Sequence, residues 1–268
     1  MENNQDNVQY TPYPGSLVVS LLFKILFSSL TGGKRSFHQD SQQVAKRFVQ
    51  PIKVLGQEYI PSSGPCLLTL NHYHRPGMQG YWLAMGVSAL VPCDIRWIMT
   101  SAWTFTGQSR GMVMIKKPLV RWFIGRIAYL YDFLRMPPVP PDPAEAQERA
   151  LSVRQVIQYA RQATNPVIGL APEGGDIYNV KMGWPPPGAG RFMLYLNRLG
   201  MPVVPIGISE VDGALCYRFG PAYNLEIPPD LPAQEQDTLA IRQVMGAIAG
   251  LLPEAMWGDF QPLVAKSS

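Results

Sequence analysis

The sequence predicts a single α/β domain with a mainly parallel sheet flanked by helices, preceded by an apolar N-terminal helix. Short, continuously apolar runs suit strands that are buried on both faces, and helical segments alternate with them. Hydrophobic residues make up 47% of the 268 residues and charged residues only 16%. The chain therefore has ample apolar surface to bury, which excludes intrinsic disorder. We divide it into an N-terminal segment, 1–48, and an α/β domain, 49–268.

The N-terminal segment contains one strongly apolar stretch, 16–30, interrupted by Lys24 and followed by the basic pair Lys34 and Arg35. A helix of this length spans about 22 Å, less than the ~30 Å hydrocarbon core of a bilayer, so a transmembrane span is not predicted. Two alternatives remain: a helix packed in the protein core, or one lying in the bilayer interface. We favour the second because apolar side chains occupy nearly every side of the helix and basic residues follow it.

The α/β domain begins after a short amphipathic link at 42–48. Apolar runs of strand length predict strands at 52–56, 66–70, 94–100, 167–171, 202–208 and 214–219. Periodic or continuously apolar longer runs predict helices at 79–90, 118–131, 144–163, 191–199 and 238–252. The proline-rich stretch 136–143 predicts a loop, because proline cannot donate a main-chain hydrogen bond to a helix or sheet.

The cysteine positions, the absence of phosphate-binding patterns and the net charge limit which cofactors and partners we expect. The cysteines Cys66, Cys93 and Cys216 are far apart and odd in number, with no metal-ligand spacing, so we expect no disulfide framework and no metal site. Neither phosphate-binding pattern, GxGxxG or GxxxxGK[ST], occurs, and we expect no cofactor. The formal net charge of +4 is too small to indicate nucleic acid as a partner, although it suits an anionic surface.

Three short segments follow predicted strands, in the places where α/β sheets hold their ligands: 71–77, 171–176 and 188–190. Each segment alone also has a purely structural interpretation. His72 could be an ordinary hydrogen-bonded polar residue, and Glu173 could be an exposed carboxylate in a turn. Residues 188–190 could begin a helix without binding an anion.

In this order and spacing, the segments resemble the glycerophospholipid acyltransferase family, typified by 1-acylglycerol-3-phosphate acyltransferases. The family's His-x4-Asp motif begins at His72, directly after Asn71. Its Phe-Pro-Glu-Gly-Thr motif corresponds to Ala-Pro-Glu-Gly-Gly at 171–175. Its later Gly-Ala segment and Val-Pro-Ile strand correspond to 188–190 and 204–206. The resemblance covers roughly residues 52–223.

The resemblance implies phospholipid biosynthesis: transfer of a fatty acyl group from acyl-CoA or acyl carrier protein to a lysophospholipid or glycerol-phosphate hydroxyl. It further implies a peripheral or monotopic protein at the cytoplasmic face of the membrane. His72 would be the general base, since imidazole has a pKa of about 6.5, near working pH. Glu173 is the second catalytic residue that the motifs imply. The substrate-binding residues implied are Asn71, Arg75, Pro172, Gly174, Gly175 and Arg135.

Three positions depart from the family pattern. Gly77 stands where the motif has its aspartate, Gly175 stands where it has threonine, and Arg135 is near the motif arginine but out of register. The missing aspartate matters most, because loss of the orienting carboxylate in a catalytic triad costs on the order of 10⁴ in rate.

Two functional hypotheses follow from these departures. In the first, the protein is an active acyltransferase with a modified catalytic pair in which His72 is still the base. A carboxylate from elsewhere could then replace the missing aspartate, and the candidates are Asp94, Asp132 and Asp176. In the second, the protein is a weak or inactive relative that binds lipid or acyl groups at the membrane.

Overall fold

The apolar runs of the sequence form a seven-stranded sheet in the computed structural model, which describes residues 15–46, 52–74, 78, 80–101, 110–139, 142–174 and 180–262. The strands are β1 (Lys53–Leu55), β2 (Cys66–Leu70), β3 (Arg96–Thr100), β4 (Leu134–Met136), β5 (Val167–Leu170), β6 (Val203–Val211) and β7 (Ala214–Phe219). Their order across the sheet is β1-β7-β6-β2-β5-β3-β4.

Five adjacent strands, from β6 through β4, run parallel to one another. Strand β7 runs antiparallel to β6, and β1 is parallel to β7. The parallel strands therefore end at one edge of the sheet, here called the carboxyl edge, which β2 reaches at Leu70 and β5 at Leu170. The opposite edge, where these strands begin, is the amino edge. The predicted fold class, a mainly parallel α/β sheet, is confirmed.

The described residues form seven α-helices: α1 (Gly15–Thr31), α2 (Phe37–Ala45), α3 (Gly80–Leu90), α4 (Arg110–Tyr131), α5 (Ala146–Gln162), α6 (Ala189–Arg198) and α7 (Ala233–Ala249). Neighbouring residues of β3 show that helices lie on both faces. The Trp97 indole donates to Ser88 Oγ of α3 at 2.8 Å, whereas the Arg96 guanidinium lies over the Tyr159 ring of α5. Because successive strand residues point to opposite faces, α3 and α5 cover different sides.

The centre of the sheet is buried on both faces, as its apolar runs predict. Leu67, Leu68 and Ile168 are fully buried, and every residue of β2 and β5 is buried. Gly169 lets the indole of Trp97 pack across β5, since a Cβ at that position would lie 2.6 Å from the indole ring. These two strands form a rigid base for the loops that follow them.

Two elements were not predicted, and three predicted elements differ clearly in their bounds: α4 and α7 begin eight and five residues earlier than predicted, and β6 ends three residues later. The expected link at 42–48 is replaced by α2, which begins earlier because the Ser36 side chain accepts the Gln39 N–H as a helix cap. Strand β4 overlaps the start of the expected proline loop and pairs with β3 at the end of the sheet. Three residues are too few for a periodic pattern, so only the pairing with β3 defines β4.

Helix α1 has the predicted position and a largely uncovered apolar surface. Ile25 is buried, and α1 contacts α4. Large apolar side chains are exposed at Val19, Phe23, Leu26, Phe27 and Leu30. Within the described parts of the chain, no helix combines the length and hydropathy needed to cross a membrane.

Candidate active site

The first two motifs meet at the carboxyl edge because β2 and β5 are neighbours. Thr69 pairs with Leu170, so the residues that follow the two strands leave the sheet side by side. The contact is direct: the His72 main-chain N–H donates to Glu173 Oε1 at 2.7 Å. Residues about a hundred positions apart in sequence thus form one site.

Glu173 is buried, with 2% of its surface exposed. Its other oxygen, Oε2, accepts the Gly183 main-chain N–H at 2.7 Å. Burial raises the pKa of the Glu173 carboxyl, and the two N–H donors oppose that shift. Both carboxylate oxygens therefore accept main-chain N–H groups. Glu173, in the loop after β5, thereby connects that loop to the loop after β2 and to the main chain at Gly183. Its direct catalytic role stays a prediction.

The turn that carries Glu173 directs the side chain inward. Gly174 has a φ of +71°, a left-handed conformation that favours glycine, and its N–H donates to the Ala171 carbonyl at 3.1 Å. Pro172 is buried beside it. An ordinary turn with an exposed carboxylate, one of the alternatives from the sequence, is therefore wrong for this segment. Substrate contacts of Pro172 and Gly174 remain predictions.

Asn71 fixes the point at which β2 ends. Its Nδ2 donates to the Ile208 carbonyl at 2.9 Å, and the Ile208 N–H donates to Asn71 Oδ1 at 2.7 Å. The buried side chain thereby extends the pairing of β2 with β6 by one residue. This geometry favours a positioning role for Asn71, since its amide faces the protein's own main chain. The predicted substrate contact is not among the bonds that this amide makes.

The half-buried ring of His72 lies against the first residue of α3. A Cβ on Gly80 would be 2.9 Å from His72 Nε2 and 3.2 Å from Cε1, so the absence of a side chain at Gly80 makes room for the ring. The first main-chain N–H groups of a helix have no partner within the helix and carry partial positive charge. The imidazole therefore lies beside donors suited to a developing oxyanion.

The third motif does not present an empty anion site. The N-terminus of α6 is bound by Asp237 of α7, whose carboxylate accepts the N–H groups of Gly188 and Arg191, each at 2.8 Å. A Cβ on Gly190 would approach the Asp237 main-chain oxygen to 2.1 Å, so this residue has no room for a side chain. The structural interpretation of residues 188–190 is the correct one, because the protein supplies the anion itself.

Two of the three carboxylates considered as replacements for the motif aspartate lie at the wrong edge. Asp94 precedes β3 and accepts from the Ser36 hydroxyl at 2.9 Å and the His38 N–H at 3.2 Å. Asp132 precedes β4 and pairs with Lys34 at 2.6 Å. Residues that precede parallel strands lie at the amino edge, away from His72, so these two candidates are wrong. Asp176 lies outside the described residues, as do Arg75, Gly77 and Gly175.

Arg135, the predicted phosphate-binding residue, is exposed on β4. That strand is three positions from β2 in the sheet, a separation of about 14 Å at the usual strand spacing. Its guanidinium lies near α4, where a Cβ on Gly125 would be 3.5 Å from Arg135 Nη1. A role in acceptor binding stays a prediction, and it requires a substrate long enough to extend across these strands.

Sequence reasoning missed two residues at this edge. The apolar pattern ends the fifth predicted strand at residue 208, but the corresponding strand β6 continues to Val211 and brings Glu210 to the carboxyl edge. The Tyr73 hydroxyl donates to Glu210 Oε2 at 3.3 Å. The polar pair Ser209 and Glu210 indicates a loop when only apolar runs are counted, so the length of β6 is set by its pairing with β7. No group of three potential metal ligands occurs among the described residues.

Comparison with known proteins shows which family the chain belongs to. Among solved structures, the chain is similar to the 1-acyl-sn-glycerophosphate (LPA) acyltransferase PlsC from Thermotoga maritima, with a TM-score of 0.48 and 14% identity over 85% of this chain and 88% of that one. A comparison with curated protein sequences finds no match. The family model named Acyltransferase matches residues 51–209, more than half of the chain, including His72 and Glu173. By that match, the chain belongs to the acyltransferase family.

Proposed function

We propose that the protein transfers a fatty acyl group from a thioester donor, acyl-CoA or acyl carrier protein, to the hydroxyl of a lysophospholipid or glycerol-phosphate acceptor. Family membership supports acyl transfer, and the resemblance of the motifs supports these donors and acceptors. The observation that carries the proposal is the 2.7 Å bond from the His72 N–H to Glu173, which brings the two motif residues together at the carboxyl edge.

In the proposed reaction, His72 takes the proton of the acceptor hydroxyl as its oxygen attacks the thioester carbonyl carbon. The carbon–oxygen bond forms and the carbonyl becomes an oxyanion, which main-chain N–H groups at the start of α3 would stabilise. The carbon–sulfur bond then breaks, and the imidazolium returns its proton to the leaving thiolate. The net exchange is an ester for a thioester, with no oxidant, metal or cofactor in the balance.

We further propose that α1 lies in the bilayer interface at the cytoplasmic face of the membrane, where a lipid acceptor is found. Phe23 and Phe27 are 69% and 68% exposed, and Leu30 extends the same apolar surface. The Lys34 ammonium, which follows the helix, pairs with Asp132 at 2.6 Å, so the apolar surface of α1 carries this proposal. Exposing such an apolar surface to water is unfavourable in free energy. The exposed face of α1 therefore favours contact with lipid.

His72→Ala is the direct test of the catalytic assignment. We expect thioester-dependent acylation to fall by about 10²–10⁴-fold, the range for removal of a general base. His74→Ala is the matched control and should keep most of the activity, because His74 is not in the motif position. Unchanged activity in His72→Ala would remove the base assignment. A wild-type protein that binds vesicles but acylates nothing would favour the inactive lipid-binding alternative.

The membrane proposal is tested by replacing both Phe23 and Phe27 with serine and measuring co-sedimentation with anionic vesicles. We expect binding to drop markedly while the thermal unfolding temperature stays close to wild type, because both side chains are exposed. The matched control replaces Leu151 and Leu239, exposed leucines of α5 and α7, with serine. Equal loss of binding in both double variants would mean that α1 is not the lipid-binding surface.

A further inference from the structure

Each of the two strands beside β2 brings a glutamate to the carboxyl edge. Glu173 follows β5, and Glu210 lies near the end of β6. The two carboxylates have different surroundings, because both oxygens of Glu173 accept main-chain N–H groups. Glu210 instead contacts a side chain of the segment that contains His72, through the hydroxyl of Tyr73.

Hydrogen bonds place Glu210 beside the segment that contains His72. The Asn71 side chain continues the pairing of β2 with β6 as far as Ile208, two residues before Glu210. The main chain then turns at His72, because the Tyr73 N–H donates to the Asn71 carbonyl at 3.0 Å. The turn leaves Tyr73 beside the end of β6, where its hydroxyl donates to Glu210 Oε2 at 3.3 Å. The Glu210 carboxylate therefore contacts the residue that directly follows the candidate base.

The two side chains also lie on the same face of the sheet. Ile208 pairs with Tyr217, whose hydroxyl donates to the Trp82 carbonyl of α3 at 3.4 Å. Ile208 and Glu210 therefore both point to the face that α3 covers, since alternate residues of a strand share a face. The His72 ring lies on that face too, against Gly80 at the start of α3.

We propose that Glu210 supplies the negative charge that Gly77 removes from the His-x4-Asp motif. It acts as a positioning residue: its carboxylate stabilises the imidazolium that forms when His72 takes the acceptor's proton. The proton stays on His72 until the thiolate leaves, and it is not passed to Glu210. This inference rests on the proposed function, and it moves the orienting carboxylate from the loop after β2 to the adjacent strand.

Glu210→Gln tests the proposal because it keeps the shape of the side chain and removes its charge. We expect kcat to fall about ten- to a hundredfold, because the imidazolium that forms during the reaction loses a nearby opposite charge. The KM for both substrates should stay within about twofold, since Glu210 acts on the base. Tyr73→Phe is the matched control: it removes the 3.3 Å hydrogen bond but keeps the carboxylate, and should retain most of kcat.

The decisive measurement is rescue. Adding Gly77→Asp to Glu210→Gln recreates the His-x4-Asp spacing and should restore much of the lost kcat, which a merely structural defect would not allow. The effect of Glu210→Gln should also persist in a His74→Ala background, because the carboxylate acts on His72.

Three outcomes overturn the inference: unchanged kcat in Glu210→Gln, a loss that Gly77→Asp does not rescue, or an effect that disappears with His74→Ala. The parallel His72→Ala assay separates this inference from the proposed function. If His72→Ala is inactive while Glu210→Gln equals wild type, only the role of Glu210 fails. If His72→Ala keeps full activity, both fail.

Discussion

Asp40 and Glu173 are similarly buried, at 4% and 2% exposure, but they lie at opposite edges of the sheet in opposite surroundings. Near the amino edge, Asp40 accepts two hydrogen bonds from Arg35, at 2.6 and 2.8 Å, and one from the Tyr131 hydroxyl at 2.8 Å. At the carboxyl edge, Glu173 accepts only main-chain N–H groups. The Asp40 carboxylate pairs with the Arg35 cation, whereas the Glu173 carboxylate connects loops by accepting their main-chain N–H groups.

The difference follows from what each carboxylate connects. The Asp40–Arg35 pair joins the start of α2 to the end of α4, and its hydrogen bond raises the pKa of Arg35. Burial raises the pKa of Tyr131 within the same cluster. These groups fix helices and lie away from His72. Glu173 binds the residue that carries the candidate base, so we expect activity to depend on the carboxyl edge and stability to depend on both.

Of the three substitutions considered for this comparison, Glu173→Gln should have the largest combined effect, because it should lower both kcat and the free energy of unfolding. The new amide would place an N–H₂ group against one of the two N–H donors, leaving a buried donor without an acceptor at a cost of about 1–3 kcal/mol in the free energy of unfolding. Displacement of the His72 main chain should lower kcat by about a hundredfold. Acylation assays and urea denaturation measure the two effects. Glu58→Gln, at an exposed position, should match wild type in both. Full activity in Glu173→Gln would show that the loops hold their geometry without the carboxylate.

Asp40→Ala should separate stability from activity. Removing one partner of a buried ion pair typically costs 3–5 kcal/mol, and we expect about 3 kcal/mol here because the Arg35 side chain is 21% exposed. At a temperature where the variant is folded, kcat should equal the wild-type value. Arg35→Ala should be destabilised comparably, and the two losses should not add in the double variant. A reduced kcat in folded Asp40→Ala would show that the amino edge influences the site.

Asp132→Asn should have the smallest effect. Its ion pair with Lys34 has the same 2.6 Å length as the Asp40–Arg35 pair, but the two side chains are 47% and 48% exposed. Water and salt screen such a pair, so we expect a loss below about 1 kcal/mol that shrinks further in high salt. Asparagine is the suitable replacement because residue 132 has a φ of +55°. A loss as large as that of Asp40→Ala would mean that distance, rather than burial, sets the strength of these pairs.

The sequence was most informative where burial is continuous. Strands β2 and β5 were predicted within one residue, because a short apolar run bounded by turn residues is typical of a strand buried on both faces. Helix α5 was predicted within two residues at its start, from its amphipathic period. Helix α2, β4 and the last residues of β6 were missed, because a side-chain cap and strand pairing define them and neither leaves a periodic pattern.

The same division applies to the candidate site. The sequence by itself determined that Asn71, His72 and Glu173 follow buried strands, in the places where α/β sheets hold their ligands. Tertiary structure decided that β2 and β5 are neighbours, which brings these residues together. It also decided which atoms each of them contacts. Glu173 binds main chain, and Asp94 and Asp132 lie at the far edge. Glu210 contacts the Tyr73 hydroxyl because pairing with β7 extends β6 to that edge. The pattern of apolar and polar residues along the chain predicts its strands and helices. The hydrogen-bond partners of buried polar groups depend instead on packing between residues far apart in sequence.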